Sequence, residues 1–212
     1  MSLVAANREM DGLIRDGVPV TYKPESGPQA GQMVTERLRV IDFDAPDPRI
    51  GRNHYLAVSQ LWVRGEHGYR RPDVLLYVNG LPLVFIELKN SKVKLRAAFD
   101  EKEHLDRKAI AAQGLSVERV VLGLLTPERL LDYVENFCVF YRETQKVIAQ
   151  NHQFIGVNNA FEQFQRRGEL GGRLGVFWHT QGSGKSFSMV FYTRKIFRKL
   201  TGNFSFVVVT DR

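Results

Sequence analysis

Apolar positions along this chain recur with two different periods, and the changes between them mark out its elements. Leu3, Met10, Leu13 and Ile14 lie near one side of a helix spanning Val4 to Ile14, which Gly17-Val18-Pro19 ends. The chain then becomes extended. The runs VTERLRVIDF at 34–43 and HYLAVSQLWV at 54–63 alternate imperfectly between apolar and polar residues, as half-buried strands do, with the turn-rich APDPRIGRN between them. The sharpest signal of the first half is DVLLYV at 73–78, then Asn79-Gly80, then LPLVFIELK at 81–89. Two apolar runs joined by Asn-Gly predict a hairpin.

The second half changes period. Residues 92–113 are charged and alanine-containing, 117–125 are apolar, and Pro127 opens PERLLDYVENFCVFY, where Leu130, Leu131, Val134 and Phe137 have helical spacing. NHQFIGVNNAFEQFQRRGEL predicts another helix, stopped by GELGG. The last block then reads as strand (RLGVFWH), loop (TQGSGKS), helix (FSMVFYTRKIFRKL) and strand (FSFVVVTDR), a βαβ unit. These signals predict two domains, 1–145 and 146–212.

With 212 residues and 43% hydrophobic content, the chain is long enough to bury a sizeable core, and two compact units are possible. Cys138 is the single cysteine, which excludes an internal disulfide framework. The first residues lack the layout of a secretory signal, and no apolar run approaches the roughly 20 residues that span a bilayer. The expectation is a cytoplasmic protein with no membrane partner. The net charge of +7 is unevenly held: residues 1–138 carry 19 basic and 19 acidic side chains, residues 139–212 carry 11 and 4. A basic segment of this kind suits a phosphate-backbone partner, and it equally suits a solubilising face.

Thr180 to Ser186 lie between a predicted strand and a predicted helix, the setting that a phosphate cradle needs. Gly182 and Gly184 let successive N–H groups turn toward an anion, and the helix adds its positive N-terminal end. Ser183 lies between the two glycines. In this reading Lys185 reaches the β- and γ-phosphates of a nucleotide, and the Ser186 hydroxyl suits Mg²⁺. The pattern departs from the common phosphate-loop motif in having His179 where a glycine usually stands, so the match is to the helicase-type variant. Gln153 is placed either to hydrogen-bond adenine or as an exposed helix residue.

Glu87 and Lys89, two positions apart on one strand, share a face, and the apolar run before them predicts that the strand is buried. Asp73 is the partner carboxylate. Two carboxylates on Mg²⁺ can position a phosphodiester and water, while Lys89 stabilises developing charge, giving metal-assisted hydrolysis. Register is the test. A strict two-residue turn pairs Val78 with Leu81 and sets Asp73 opposite Ile86, on the wrong face. A third loop residue, or a bulge near Pro72 or Pro82, sets it opposite Glu87.

In this order, RPDVLLYVNGLPLVFIELKNS, NHQFIGVNNAFEQF, GVFWHTQGSGKSFSMVFYTRKI and FVVVTDR resemble the restriction, or motor, subunit of Type I restriction-modification enzymes. The resemblance implies an α/β fold, a PD-(D/E)xK restriction-endonuclease-like core followed by the start of a RecA-like P-loop domain of the superfamily 2 helicase type. It makes Asp73, Glu87 and Lys89 the DNA-cleaving triad, with Asp73, Glu87 and Ser186 as metal ligands. Thr180, Gly182, Ser183, Gly184, Lys185 and Ser186 form the first helicase motif, and Thr210-Asp211-Arg212 the next. It further implies ATP and Mg²⁺ as cofactors, double-stranded DNA as substrate, and methyltransferase and specificity subunits as partners. Departures qualify this. The family's preceding acidic helix and its Gln-x-x-x-Tyr motif are not found, and the sequence after Phe99 is shorter than the family's. The later motor motifs are likewise missing, so the expectation includes a shortened, non-catalytic remnant that binds without cleaving. A free-standing P-loop ATPase with no nuclease is the remaining reading.

Overall fold

The computed structural model describes residues 2–65, 68–88, 121, 123–142 and 145–209. Lys89 and the 210–212 motif lie outside them. The chain divides into two compact units, one formed by 13–131 and the other by 1–12 together with 132–212. Residues 132–145 thus cluster with the phosphate-loop segment. No described helix is long and apolar enough to cross a membrane.

Helix α1 (Leu3–Asp16) begins in the second of these units. The 13–131 unit is mainly β. Strands β1 (Val18–Tyr22) and β2 (Val34–Leu38) form a hairpin, joined across the ladder by the hydroxyls of Thr21 and Thr35 at 2.8 Å. A three-stranded antiparallel sheet follows, in the order β3 (Tyr55–Ser59), β6 (Val74–Val78), β7 (Leu81–Ile86). Between β3 and β6 the chain makes a separate two-stranded hairpin, β4 (Val63–Gly65) with β5 (Gly68–Arg70). The turn Asn79-Gly80 has φ of 50° and 81°, both positive, as a two-residue hairpin matching the strand twist requires. Asn79 does a second job. Its Nδ2 donates to Val40 O and to Asn53 Oδ1, both at 2.9 Å, and its Oδ1 accepts from His54 N at 2.7 Å. Ile41, Phe43, Leu75 and Val78 are the buried apolar residues of this sheet and its flanking loop.

The β6–β7 ladder contains the irregularity that the register argument requires. Val78 pairs with Leu81 and Tyr77 with Pro82, but Leu76 pairs with Val84, so Leu83 is an extra residue and the register shifts by one. Strand β7 departs from expectation in its surroundings: Phe85 is 62% exposed, so the strand is not buried. An apolar run alone does not distinguish a strand covered on both faces from a half-exposed edge, and among the described residues β7 is one edge of its sheet.

Helix α2 (Pro127–Asn136) ends earlier than its apolar spacing suggests, because Cys138–Tyr141 forms strand β8, paired with β9 (Gln145–Ile148). Valine and two aromatics in four residues favour the pleated ladder over a further helical turn. Helices α3 (Asn151–Gln165) and α4 (Lys185–Lys199) complete the second unit. Phe137, Val139, Ala149, Phe154, Val157 and Phe191 make its core, with Tyr133, Val147, Phe187 and Tyr192 packed against it. Beside that core Lys195 is 7% exposed, its Nζ 2.6 and 2.7 Å from the Asp132 carboxylate and 2.5 Å from Asn158 Oδ1.

The strands expected on either side of α4 are not formed as a ladder. Among the described residues, neither 173–180 nor 203–209 pairs with another strand, and Val176, Val207 and Val209 are 93%, 86% and 87% exposed. Parallel strands are stable in sheets covered on both faces, and these apolar faces lie in solvent.

Candidate functional site

The first site is the end of the three-stranded sheet. Val74 pairs with Ile86, so one further step sets Asp73 opposite Glu87, and residues opposite one another share a sheet face. Asp73 is fixed from both sides. Its carbonyl accepts from Gln60 N at 3.0 Å, where the chain leaves β3, and its Oδ2 accepts from Leu88 N at 2.6 Å, just past β7. The carboxylate therefore points across to the segment that carries Glu87, while Glu87 itself lies beyond the last paired residue and is exposed. Two hard oxygen donors at one sheet end suit Mg²⁺, which commonly takes only one or two protein carboxylates and fills its other positions with water and phosphate oxygens. Among the described residues there is no group of three or more potential metal ligands of the His, Cys, Asp and Glu types.

The second site is the loop before α4. Ser183 N and Oγ both donate to Thr180 O, at 3.3 and 2.8 Å, closing the loop on itself. Gly184 caps α4 with φ of 76°, and no side chain caps the helix, so its first N–H groups are available to an anion. Lys185 folds back with Nζ 3.2 Å from both His179 O and Thr180 O, which aims the ammonium into the loop. Gly182 lies in the turn, also at positive φ, and Ser186 is exposed in the first helical turn. A hydroxyl and an ammonium thus stand at the start of a helix whose first N–H groups have no side-chain cap, a donor set suited to polyphosphate with Mg²⁺.

Sequence reasoning undervalued what holds this loop. Gln153 is 4% exposed, which excludes the exposed-residue reading. Its Nε2 donates to Gly184 O at 2.9 Å and to Ser183 O at 3.4 Å, and its Oε1 accepts from Gln150 N at 2.8 Å. The amide thus joins the start of α3 to the loop. A Cβ on Gly184 would lie 2.8 Å from that same Nε2, so a larger residue there would push against the clasp. Beside it, His152 Nε2 is 3.1 Å from Ser183 O, and since a carbonyl only accepts, this nitrogen carries the hydrogen. The His179 ring meets His152 edge to face and lies tilted against Phe177, with ring centroids 4.8 and 4.5 Å away. Its Nδ1 is buried without a hydrogen-bond partner among the described residues. Burial, reinforced by His152 and Lys185, holds the His179 pKa below its ordinary value. No motif flags these residues; the one clue was the His at the position of the usual glycine.

The family model for the N terminus of the Type I restriction enzyme R protein matches residues 1–117, more than half of the chain. The chain belongs to that family. A model of the SWI2/SNF2 ATPase matches residues 152–212, the part that holds the phosphate-type loop. Among curated relatives, the Type I restriction enzyme HindI endonuclease subunit of Haemophilus influenzae is 34% identical over 99% of this chain. The provisionally named type I restriction enzyme MjaIXP endonuclease subunit of Methanocaldococcus jannaschii is 23% identical over 94%. The chain spans 24% and 25% of these relatives' lengths, about a quarter. The first alignment runs over 264 positions against 212 residues here, so that relative carries insertions within the matched span.

Proposed function

We propose that this chain is the N-terminal part of a Type I restriction endonuclease R subunit, containing a Mg²⁺-dependent phosphodiester-cleaving site in a PD-(D/E)xK-type core and the ATP-binding loop of a RecA-like DNA motor. The observation that carries the reading is the bulged register of β6 and β7, which brings Asp73 opposite Glu87 in a member of this family. Asp73 and Glu87 would hold the metal, which would supply activation of water and neutralisation of phosphate charge. Lys89, in the triad by sequence, stabilises the charge that develops on the phosphate. At the other site, the loop from Thr180 to Ser183 and the start of α4 receive the polyphosphate of ATP. Lys185 would neutralise its charge, and the Ser186 hydroxyl would hold the accompanying Mg²⁺. Modification and specificity subunits direct the complex to double-stranded DNA.

The test is cleavage of circular DNA by the native R polypeptide containing these residues, assembled with its modification and specificity subunits, ATP and Mg²⁺. Asp73→Asn and Glu87→Gln abolish cleavage while ATP hydrolysis continues, and Lys89→Ala lowers cleavage at least about 100-fold. Lys185→Ala abolishes ATP hydrolysis and, with it, cleavage. Undiminished cleavage by Asp73→Asn would overturn the nuclease assignment, and undiminished ATP binding by Lys185→Ala the loop assignment. A second reading, binding without turnover, draws on the unpaired apolar runs beside the loop. The same variants separate it, because a purely binding chain shows no cleavage for Asp73→Asn to remove.

A further inference from the structure

The β4–β5 hairpin is an excursion from the sheet end that holds Asp73. It leaves β3 after Gln60, whose N–H bonds to Asp73 O at 3.0 Å, and returns through Arg71 and Pro72 to Asp73 itself. All six of its strand residues are exposed. Trp62 and Tyr69 are each 62% exposed, and their rings meet edge to face with centroids 6.3 Å apart. The Arg71 guanidinium lies 5.3 Å from the Trp62 ring centroid and that of Arg64 lies 6.0 Å from Tyr69. By sequence, residues 61–71 hold Arg64, Arg70 and Arg71 against the single acid Glu66.

The ring pair and its two guanidinium contacts stabilise the hairpin, yet they leave more than half of each ring in solvent, with a guanidinium beside it. That combination matches a nucleic-acid strand, whose bases stack on rings while its phosphates pair with arginine. The faces of bases in an intact duplex are already stacked on one another, so the rings select an unpaired strand. Resting on the nuclease reading for its location, we propose that the β4–β5 hairpin is a stacking platform for unpaired DNA at the cleavage site, with Trp62 and Tyr69 receiving bases and Arg64, Arg70 and Arg71 receiving phosphates. It holds a frayed or displaced strand at the sheet end where Asp73 and Glu87 stand.

The test uses the 212-residue chain in a Trp178→Phe background, which leaves Trp62 as the one tryptophan. Titration with a dT dodecamer quenches Trp62 emission, whereas heparin, a polyanion without bases, does not. Trp62→Ala and Tyr69→Ala, read by anisotropy of a labelled dodecamer, each weaken binding about tenfold. Arg64→Gln and Arg70→Gln each lower the slope of log affinity against log salt by about 0.7. Unchanged Trp62 emission at saturation, unchanged affinity in Trp62→Ala, no binding of the dodecamer, or tighter binding of a duplex of equal length would each overturn the proposal. Circular dichroism of the variants checks that the sheet survives. Asp73→Asn keeps the quenching, so a failed platform and a failed cleavage site are read separately.

Discussion

Gln153 shows how one buried side chain can set the shape of a site made mostly of backbone. All three of its described hydrogen bonds go to main chain, two of them to the loop carbonyls of Ser183 and Gly184. Gln153→Ala is expected to weaken ATP binding and to cost about 1–3 kcal/mol of stability, because the loop carbonyls lose their donor. Gln153→Glu is expected to be worse, since a carboxylate offers those carbonyls no hydrogen; calorimetric titration with a non-hydrolysable ATP analogue and thermal unfolding check both. His179 adds a pH dependence. Its pKa is depressed in the fold, so the unfolded chain binds the proton more readily, and stability falls as pH drops below about 6.5 and through the folded value. His179→Gln is expected to flatten that part of the profile of unfolding temperature against pH. At this scale Gly184, Lys185 and Ser186 could be singled out as a candidate loop because their pattern is written in consecutive residues. Gln153 was not legible in its role, since its partners lie some thirty positions away and no local pattern records them.

Among the elements, the β6–β7 hairpin was the most readable. Asn79-Gly80 predicted the turn, and the requirement that two carboxylates share a face predicted a third loop residue or a bulge near Pro72 or Pro82; the register shifts beside Pro82. What the pattern did not reveal was the second use of Asn79, whose side chain ties the turn to Val40, Asn53 and His54. Asn79→Gly keeps a residue suited to positive φ but loses these bonds, so it is expected to destabilise the chain by roughly 1–2 kcal/mol, measured by urea unfolding. Helix α2 was overextended because Phe137, which fits the helical spacing, lies between its end at Asn136 and the start of β8 at Cys138. The Lys195–Asp132–Asn158 cluster was invisible in sequence, its members being spread over three helices. Burial lowers the Lys195 pKa in spite of the attraction of Asp132. Lys195→Ala leaves a carboxylate without its cation and is expected to cost about 3–5 kcal/mol, whereas the double variant Lys195→Met with Asp132→Leu is expected to recover most of that, by thermal or urea unfolding.

The molecule as a whole holds a carboxylate pair in the 13–131 unit and a glycine-rich loop before α4 in the unit of 1–12 and 132–212, whose segment 139–212 carries 11 basic and 4 acidic side chains. The sequence order of motifs made the family readable, and the match over residues 1–117 bears it out. The sheet around the loop was less readable. RLGVFWH and FSFVVVTDR have the composition of buried parallel strands, but composition records a preference for burial and not the presence of neighbours to provide it. The account predicts two metal sites with different requirements. Mn²⁺ titration followed by electron paramagnetic resonance tests this directly, in the presence and absence of an ATP analogue. One ion is expected to bind without nucleotide and be lost in Asp73→Asn and Glu87→Gln, and a second is expected to appear with nucleotide and be lost in Lys185→Ala. Nucleotide-independent Mn²⁺ binding that is the same in Asp73→Asn as in the unaltered chain would contradict the carboxylate site on which the account rests.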